Sequence, residues 1–173
     1  MRWDNEVTAA VNQARRLYGI SPEPALVHAL IERESAHRDT SASGTREPNG
    51  HYSFGPMQVQ DTTAAMHGIT EPGTLATPSI GIRIGTFELA RLLKLFPGDT
   101  ARAIAAYNAG TGNARRNPAG HFPNQPYVDA VLSFWARFRR VVTAAAPAAG
   151  ATILAAIVLW FLFVRRRRRL AWR

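Results

Sequence analysis

Between residues 144 and 164 the chain carries no charged side chain, and five consecutive arginines, Arg165 to Arg169, follow at once. As a helix this run spans about 31 Å at roughly 1.5 Å per residue, close to the ~30 Å of bilayer hydrocarbon. Its strongly apolar part is Ile153 to Val164; the first third holds only Ala, Gly, Pro and Thr. A buried core helix is the competing reading. It would need apolar surroundings on every side of the helix, and a domain this small has little interior to supply them. The run predicts one transmembrane or deeply inserted helix, with Trp160 and Trp172 as interfacial anchors. It also divides the chain into a folded domain over 1–143, a membrane helix over 144–164 and a basic tail over 165–173.

Charge follows the same division. All 12 acids lie in residues 1–143, whose net charge is +3, whereas residues 144–173 hold six arginines and no acid. A uniformly basic chain would point to nucleic acid; a nearly balanced domain with a separate basic end does not. Arg165–Arg169 suit anionic lipid or the phosphates of DNA. The chain has no cysteine, which excludes a disulfide framework, a thiolate zinc site, a cysteine nucleophile and an iron–sulfur cluster. Its histidines, His28, His37, His51, His67 and His121, show no metal-ligand spacing, and there is neither a phosphate-binding glycine loop nor a GxSxG. No metal and no cofactor are expected.

The first 143 residues read as mainly helical. An amphipathic helix starts near Asp4 or Asn5 and stops at Gly19; Ser21-Pro22 opens a second in the order cap residue then proline. Further helices are expected over Thr62–His67, with Asp61 as cap and Gly68 as stop, over Ser79–Leu95, and over Thr100–Asn108 with Asp99 as cap. The last runs from about Gln125 to Val142, with Val128, Val131, Leu132, Trp135 and Phe138 on one stripe. Only His51–Val59 has the character of a short hairpin arm.

One carboxylate stands out on the second helix. At roughly 100° per residue and with Leu26 at zero, Val27 lies near 100°, Leu30 near 40° and Ile31 near 140°. Glu34 then falls at about 80°, in the middle of the apolar face, and Glu32 at about 240°, on the solvated side. A carboxyl in apolar surroundings has a raised pKa, as a general acid working near neutral pH requires. The alternative is that the helix ends before Glu34 and leaves it solvated at the mouth of a loop.

Four segments extend the pattern: Ile31-Glu32-Arg33-Glu34-Ser35, Gly55-Pro56-Met57-Gln58-Val59, Ala105-Ala106-Tyr107-Asn108-Ala109-Gly110-Thr111-Gly112 and Pro126-Tyr127-Val128. In this order, and with Pro78-Ser79-Ile80-Gly81-Ile82-Arg83-Ile84-Gly85 before the third, they resemble the soluble lytic transglycosylases over about residues 5 to 138. The resemblance implies an α+β, lysozyme-like fold that is mainly α, and peptidoglycan strands as substrate. It implies Glu34 as the single catalytic acid/base with Ser35 beside it. It places Ser43, Met57, Gln58, Tyr107 and Asn108 in the substrate cleft, and Tyr127 near the catalytic carboxyl. Gln58 and Asn108 can each donate and accept, as an N-acetylated sugar requires, without competing as acids. Met57 and Tyr107 could equally be core residues, and Asn108-Ala109-Gly110 a helix stop.

Two departures from the family pattern are visible. His37-Arg38-Asp39 replace the usual aromatic and Asn- or Asp-Pro, and the polar loop Gly44–His51 lengthens the path from Glu34 to Gln58. The implied reaction cleaves the β-1,4 bond from N-acetylmuramic acid to N-acetylglucosamine and closes a 1,6-anhydro ring. A hydrolase using water and a second carboxylate such as Asp61, with Asp39 and Glu47 as the other candidates, and a non-catalytic glycan-binding module, are the alternatives. The positive-inside rule puts the arginines on the cytoplasmic side and the domain outside, yet the first twenty residues, with Asp4 and Glu6, are no signal peptide. A virion-associated enzyme that opens the wall during phage entry, alongside other virion proteins, reconciles the two. A bacterial envelope or secretion-system enzyme is the other candidate.

Overall fold

The computed structural model of the protein describes residues 1–145. All but the first two residues of the expected membrane helix 144–164, and the whole basic tail 165–173, lie outside the described residues. Among the described residues no helix is long and apolar enough to cross a membrane. Met1–Phe138 form one compact unit, which carries everything below.

Six helices and three very short strands make up the described chain: α1 (Asp4–Tyr18), α2 (Pro24–Ser35), β1 (Thr45–Arg46), β2 (Tyr52–Phe54), β3 (Val59–Gln60), α3 (Asp61–Met66), α4 (Pro78–Leu95), α5 (Thr100–Arg116) and α6 (Gln125–Ala145). A 3₁₀ turn over Pro72–Ala76 precedes α4. The strands form one antiparallel sheet in the order β1-β2-β3, with Thr45 opposite Ser53 and Phe54 opposite Val59. The expected hairpin arm is therefore the β2–β3 half of the sheet, and the polar loop is the β1–β2 turn. β1 is two exposed polar residues, and nothing in their alternation announces a strand.

Local chemistry accounts for most boundaries. Gly19 takes φ 71 and its N–H returns to the Arg15 carbonyl, the left-handed stop expected of glycine. α2 begins at Pro24, later than Ser21-Pro22, because the second proline holds Glu23 extended at φ −64, ψ 129. Asp99 caps α5 by accepting from the Arg102 N–H at 2.9 Å. α5 runs past Asn108, but Gly110 at φ 82, ψ 154 breaks it into two helical pieces. Asp61 is the first residue of α3 and not its cap; its carboxylate accepts from the Thr62 N–H and meets His51 Nδ1 at 2.9 Å.

The core is built around α4, which packs against α1, α5, β3 and the 3₁₀ turn. α1 contributes Val7, Ala10, Val11 and Ala14 at helical spacing, and α2 buries Ala25 through Ile31 without interruption. In α6 the expected stripe holds for Val128, Val131 and Phe138, while Leu132 and Trp135 are partly buried against the core.

Two glycines of α4 set the spacing of the centre. A Cβ at Gly81 would lie 2.2 Å from the Leu75 carbonyl oxygen, and one at Gly85 would lie 2.6 Å from both Cβ and Sδ of Met57. The Gly55–Gln58 turn and the 3₁₀ turn thus rest directly on the helix backbone. Gly85→Ala is expected to lower stability by about 1–3 kcal/mol in urea unfolding, although alanine is the better helix former by ~1 kcal/mol. A neutral or stabilising result would show that Met57 is not wedged there.

Candidate active site

α2 stays helical through Ser35, so Glu34 keeps its place on the inward face, and the reading in which the helix ends earlier falls away. Ser35 Oγ donates back to the Ile31 carbonyl at 3.1 Å. Ala36 and His37 then both take left-handed backbone, φ 51 and φ 55, a conformation that costs an L-residue about 1 kcal/mol or more. The His37 ring is what holds this turn. It stacks on His28 at 5.4 Å and Trp3 at 6.0 Å, and meets Phe138 edge-on. Its Nδ1 lies 2.9 Å from Glu32 Oε2 and must donate, because a carboxylate only accepts. Glu32 is therefore not the freely solvated residue of the helical wheel: it is partly buried and also takes a hydrogen bond from Arg137.

Glu34 opens into a groove with a cavity volume of about 360 Å³, lined also by Gln58, Tyr107 and Asn108. The Tyr127 hydroxyl, arriving from α6, donates to Glu34 Oε1 in a short hydrogen bond. Burial pushes the Glu34 carboxyl up to about 7; the Tyr127 hydrogen bond and the Arg33 charge oppose this, and the Glu47 charge adds to it. The Arg33 guanidinium lies over the Tyr127 ring, 5.1 Å from its centroid. The phenol is thus held between the acid and a cation.

Gln58 sits at φ 45, left-handed and not glycine, at the end of the turn that rests on α4. Its backbone N–H and its Nε2 both donate to the Gly55 carbonyl, at 3.0 and 2.9 Å. Backbone strain of this kind survives only where the surroundings over-determine it. Tyr107 lines the groove with its ring while its hydroxyl donates to the Met57 carbonyl at 2.9 Å, tying α5 to the same turn. Asn108 Oδ1 accepts from Asn124 Nδ2 at 2.9 Å, which directs the other half of the Asn108 amide outward.

Two expected cleft residues are placed differently. Met57 is fully buried and supports the groove from beneath, because the glycine face of α4 draws its side chain into the core. Ser43 is exposed in the loop before β1, where its N–H donates to Ser41 Oγ, and it is not among the groove-lining residues. Asp61, the alternative second carboxylate, is taken up by His51 and backbone N–H groups outside the groove lining. The further carboxylates that do line the groove are Glu47, from the β1–β2 turn, and Glu88, from α4.

Sequence reasoning missed Glu88, Arg91 and Asn124. A signal existed for Glu88, which recurs with Gly81, Gly85 and Leu92 on the buried face of α4, the same test that singles out Glu34. Glu47 is among the candidate second carboxylates of the sequence, but nothing there places it on the groove, since its position depends on the register of a two-residue strand. Among the described residues no group of histidine and acidic side chains could hold a metal ion.

The raised acid carries a stability cost with a definite sign. Above pH 7 Glu34 is ionised both folded and unfolded, and its burial is unfavourable; below its unfolded value it is neutral in both states. Glu34→Gln is therefore expected to stabilise the protein at pH 8, by about 1–3 kcal/mol. The gain should fade as pH drops through the range from about 7 to the ordinary glutamate value of 4.5. Thermal unfolding of both proteins across this range checks it, and a pH-independent difference would contradict the assignment.

A solved structure of an inactive mutant of the lytic transglycosylase Slt from Pseudomonas aeruginosa aligns with a TM-score of 0.59 at 24% identity, covering 79% of this chain and 24% of that one. The likeness is one of fold, mainly helical with a small sheet, and this chain spans about a quarter of that protein's length. The family described as the transglycosylase SLT domain matches residues 10–123. That span contains Glu34, the Gly55–Gln58 turn, the glycine face of α4 and the Tyr107-Asn108 pair. The chain belongs to the transglycosylase SLT domain family.

Proposed function

We propose that the protein is a peptidoglycan lytic transglycosylase that cleaves the β-1,4 bond between N-acetylmuramic acid and N-acetylglucosamine. The observation that carries this reading is Glu34: one carboxyl, raised to about 7, hydrogen-bonded to Tyr127 and opening into a groove lined by the amides of Gln58 and Asn108 among others. Protonated Glu34 gives its proton to the leaving glycosidic oxygen as the bond to C1 breaks, while the substrate's N-acetyl carbonyl oxygen bonds to C1. The Glu34 carboxylate then removes the proton of the muramyl C6 hydroxyl. O6 replaces the acetyl oxygen at C1, and the acid is regenerated. No water is consumed, so one protein carboxylate suffices, the substrate-assisted exception to the two-carboxylate scheme. A pKa near the working pH favours both halves of this cycle.

Glu47 supports a second reading, a muramidase that hydrolyses the same bond, because it brings another carboxylate to the groove. Digested walls separate the two. Muropeptides ending in an anhydromuramyl residue, lighter by one water than reducing ends, are the expected product, and reducing ends alone would favour the hydrolase. Glu34→Gln should abolish lysis in a wall zymogram with the fold intact. Activity within tenfold of wild type would overturn the acid/base assignment, and absence of lysis by the wild-type chain would leave a non-catalytic glycan-binding module.

The uncharged run 144–164 and Arg165–Arg169 support a membrane tether whose basic end meets anionic lipid or packaged DNA. Within that arrangement the favoured setting is a phage virion, in contact with other virion proteins, where the enzyme opens the wall locally during genome entry. A bacterial envelope or secretion-system wall-remodelling role is the alternative. Mass spectrometry of purified particles from the source should find the protein; its presence only in the bacterial envelope would exclude the virion role.

A further inference from the structure

One buried charge in the groove has no part in the chemistry above. Glu88 lies on the inward face of α4, with 9% of its side chain exposed. Burial would raise its carboxyl, but hydrogen bonds from Arg91 and His67 outweigh this and hold it below the ordinary glutamate value. Arg91 grips it with two prongs, Nε to Oε2 at 2.8 Å and one terminal nitrogen to Oε1 at 2.6 Å. His67 Nε2 approaches Oε2 at 3.2 Å, and its Nδ1 lies 3.2 Å from the Tyr18 hydroxyl. A neutral imidazole satisfies both contacts: Nε2–H donates to the carboxylate and Nδ1 accepts from the phenol. The net charge of the group is then zero, with Arg91 balanced by Glu88.

Balance of charge does not exhaust the guanidinium. It has five N–H groups, and Glu88 takes two. The other three have no hydrogen-bond partner among the described residues, and Arg91, 37% exposed, lines the same groove as Glu34. A buried ion pair stabilises a fold little compared with apolar residues of the same size. What it does provide is a guanidinium fixed in orientation by a buried anchor, which spares much of the rotamer entropy that a free arginine loses on binding. Tyr107 lines the same groove, its proton affinity raised by burial and then by the charges of both Glu34 and Glu88.

We propose that Arg91, clamped by Glu88 and His67, is a carboxylate-binding subsite that reads the peptide attached to a peptidoglycan strand. This rests on the transglycosylase reading of the groove. The sugars of such a strand are N-acetylated and uncharged, and the lactyl acid is amidated wherever a peptide is attached. The remaining anions of the substrate are the carboxylates of the stem peptide. A planar fork with free N–H groups matches a carboxylate; it offers nothing particular to a neutral sugar. Arg91 is a specificity residue in this account and takes no part in bond cleavage.

The test uses the full chain carrying Glu34→Gln, which removes turnover, and two soluble ligands: a GlcNAc–MurNAc disaccharide bearing a stem tripeptide, and the same disaccharide without peptide. Calorimetry is expected to give about tenfold tighter binding of the peptide-bearing ligand, with the advantage shrinking as salt is raised. Adding Arg91→Gln should bring the ratio close to one, and Arg91→Lys, which keeps the charge without the fork, should restore part of it. A ratio near one with Arg91 present, or an unchanged ratio in Arg91→Gln, overturns the subsite. Wild-type lysis of walls in either of those cases leaves the transglycosylase reading standing and removes only this proposal. A tenfold ratio without any lysis by the wild-type chain removes the enzyme and keeps the subsite. No binding of either ligand removes both.

Discussion

The Gly55–Gln58 turn can lie on the backbone of α4 only because residues 81 and 85 have no Cβ. Much of the groove follows from that approach. It buries Met57 completely, places its carbonyl within reach of the Tyr107 hydroxyl, and leaves Gln58 in a left-handed conformation at the groove wall. A chain with ordinary residues at these two helix positions would hold the turn farther out. The strained glutamine would then lose the contacts that keep it, since close-packed interiors do not absorb an extra methyl without rearrangement. The geometry of the groove is in this sense a consequence of close packing beneath it.

Two glutamates on the inward faces of α2 and α4 show how environment divides one chemistry into two roles. Glu34 receives a single hydroxyl from Tyr127 and has no guanidinium bonded to its oxygens among the described residues, so burial prevails and its proton is held to about neutral pH. Glu88 receives a two-pronged arginine and a histidine, and the same burial is overcome. The number and charge of donors supplied by neighbouring elements decides which carboxyl becomes an acid and which becomes an anchor. Both lie on the groove, one suited to moving a proton and the other to fixing a cation.

The end of α2 shows how the acid is kept in place. Two left-handed residues directly after Glu34-Ser35 are unfavourable alone, and the His37 ring, wedged among Trp3, His28 and Phe138 and bonded to Glu32, offsets their cost. α1, α2 and α6 meet at this histidine. The one imidazole thus supplies both the stacking and a donor for Glu32.

Helix content, the left-handed stop at Gly19, the Asp99 cap and the inward aim of Glu34 were legible in the sequence, because each depends on residues within one or two turns of one another. The order of the Glu-Ser, Gly-x-Met-Gln and Tyr-Asn-Ala-Gly segments was enough to suggest the family. What periodicity could not supply was the partner of each side chain. That Met57 lies under the groove and not in it, that Ser43 is outside, that Glu32 is clamped and that Glu47 and Arg91 line the groove are outcomes of contacts between residues 5 to 105 positions apart. Such contacts depend on how closely helix backbones approach and on the register of strands two and three residues long. The sequence by itself determined which residues would be helical and which carboxyl would face inward; only the tertiary structure decided what that carboxyl would face.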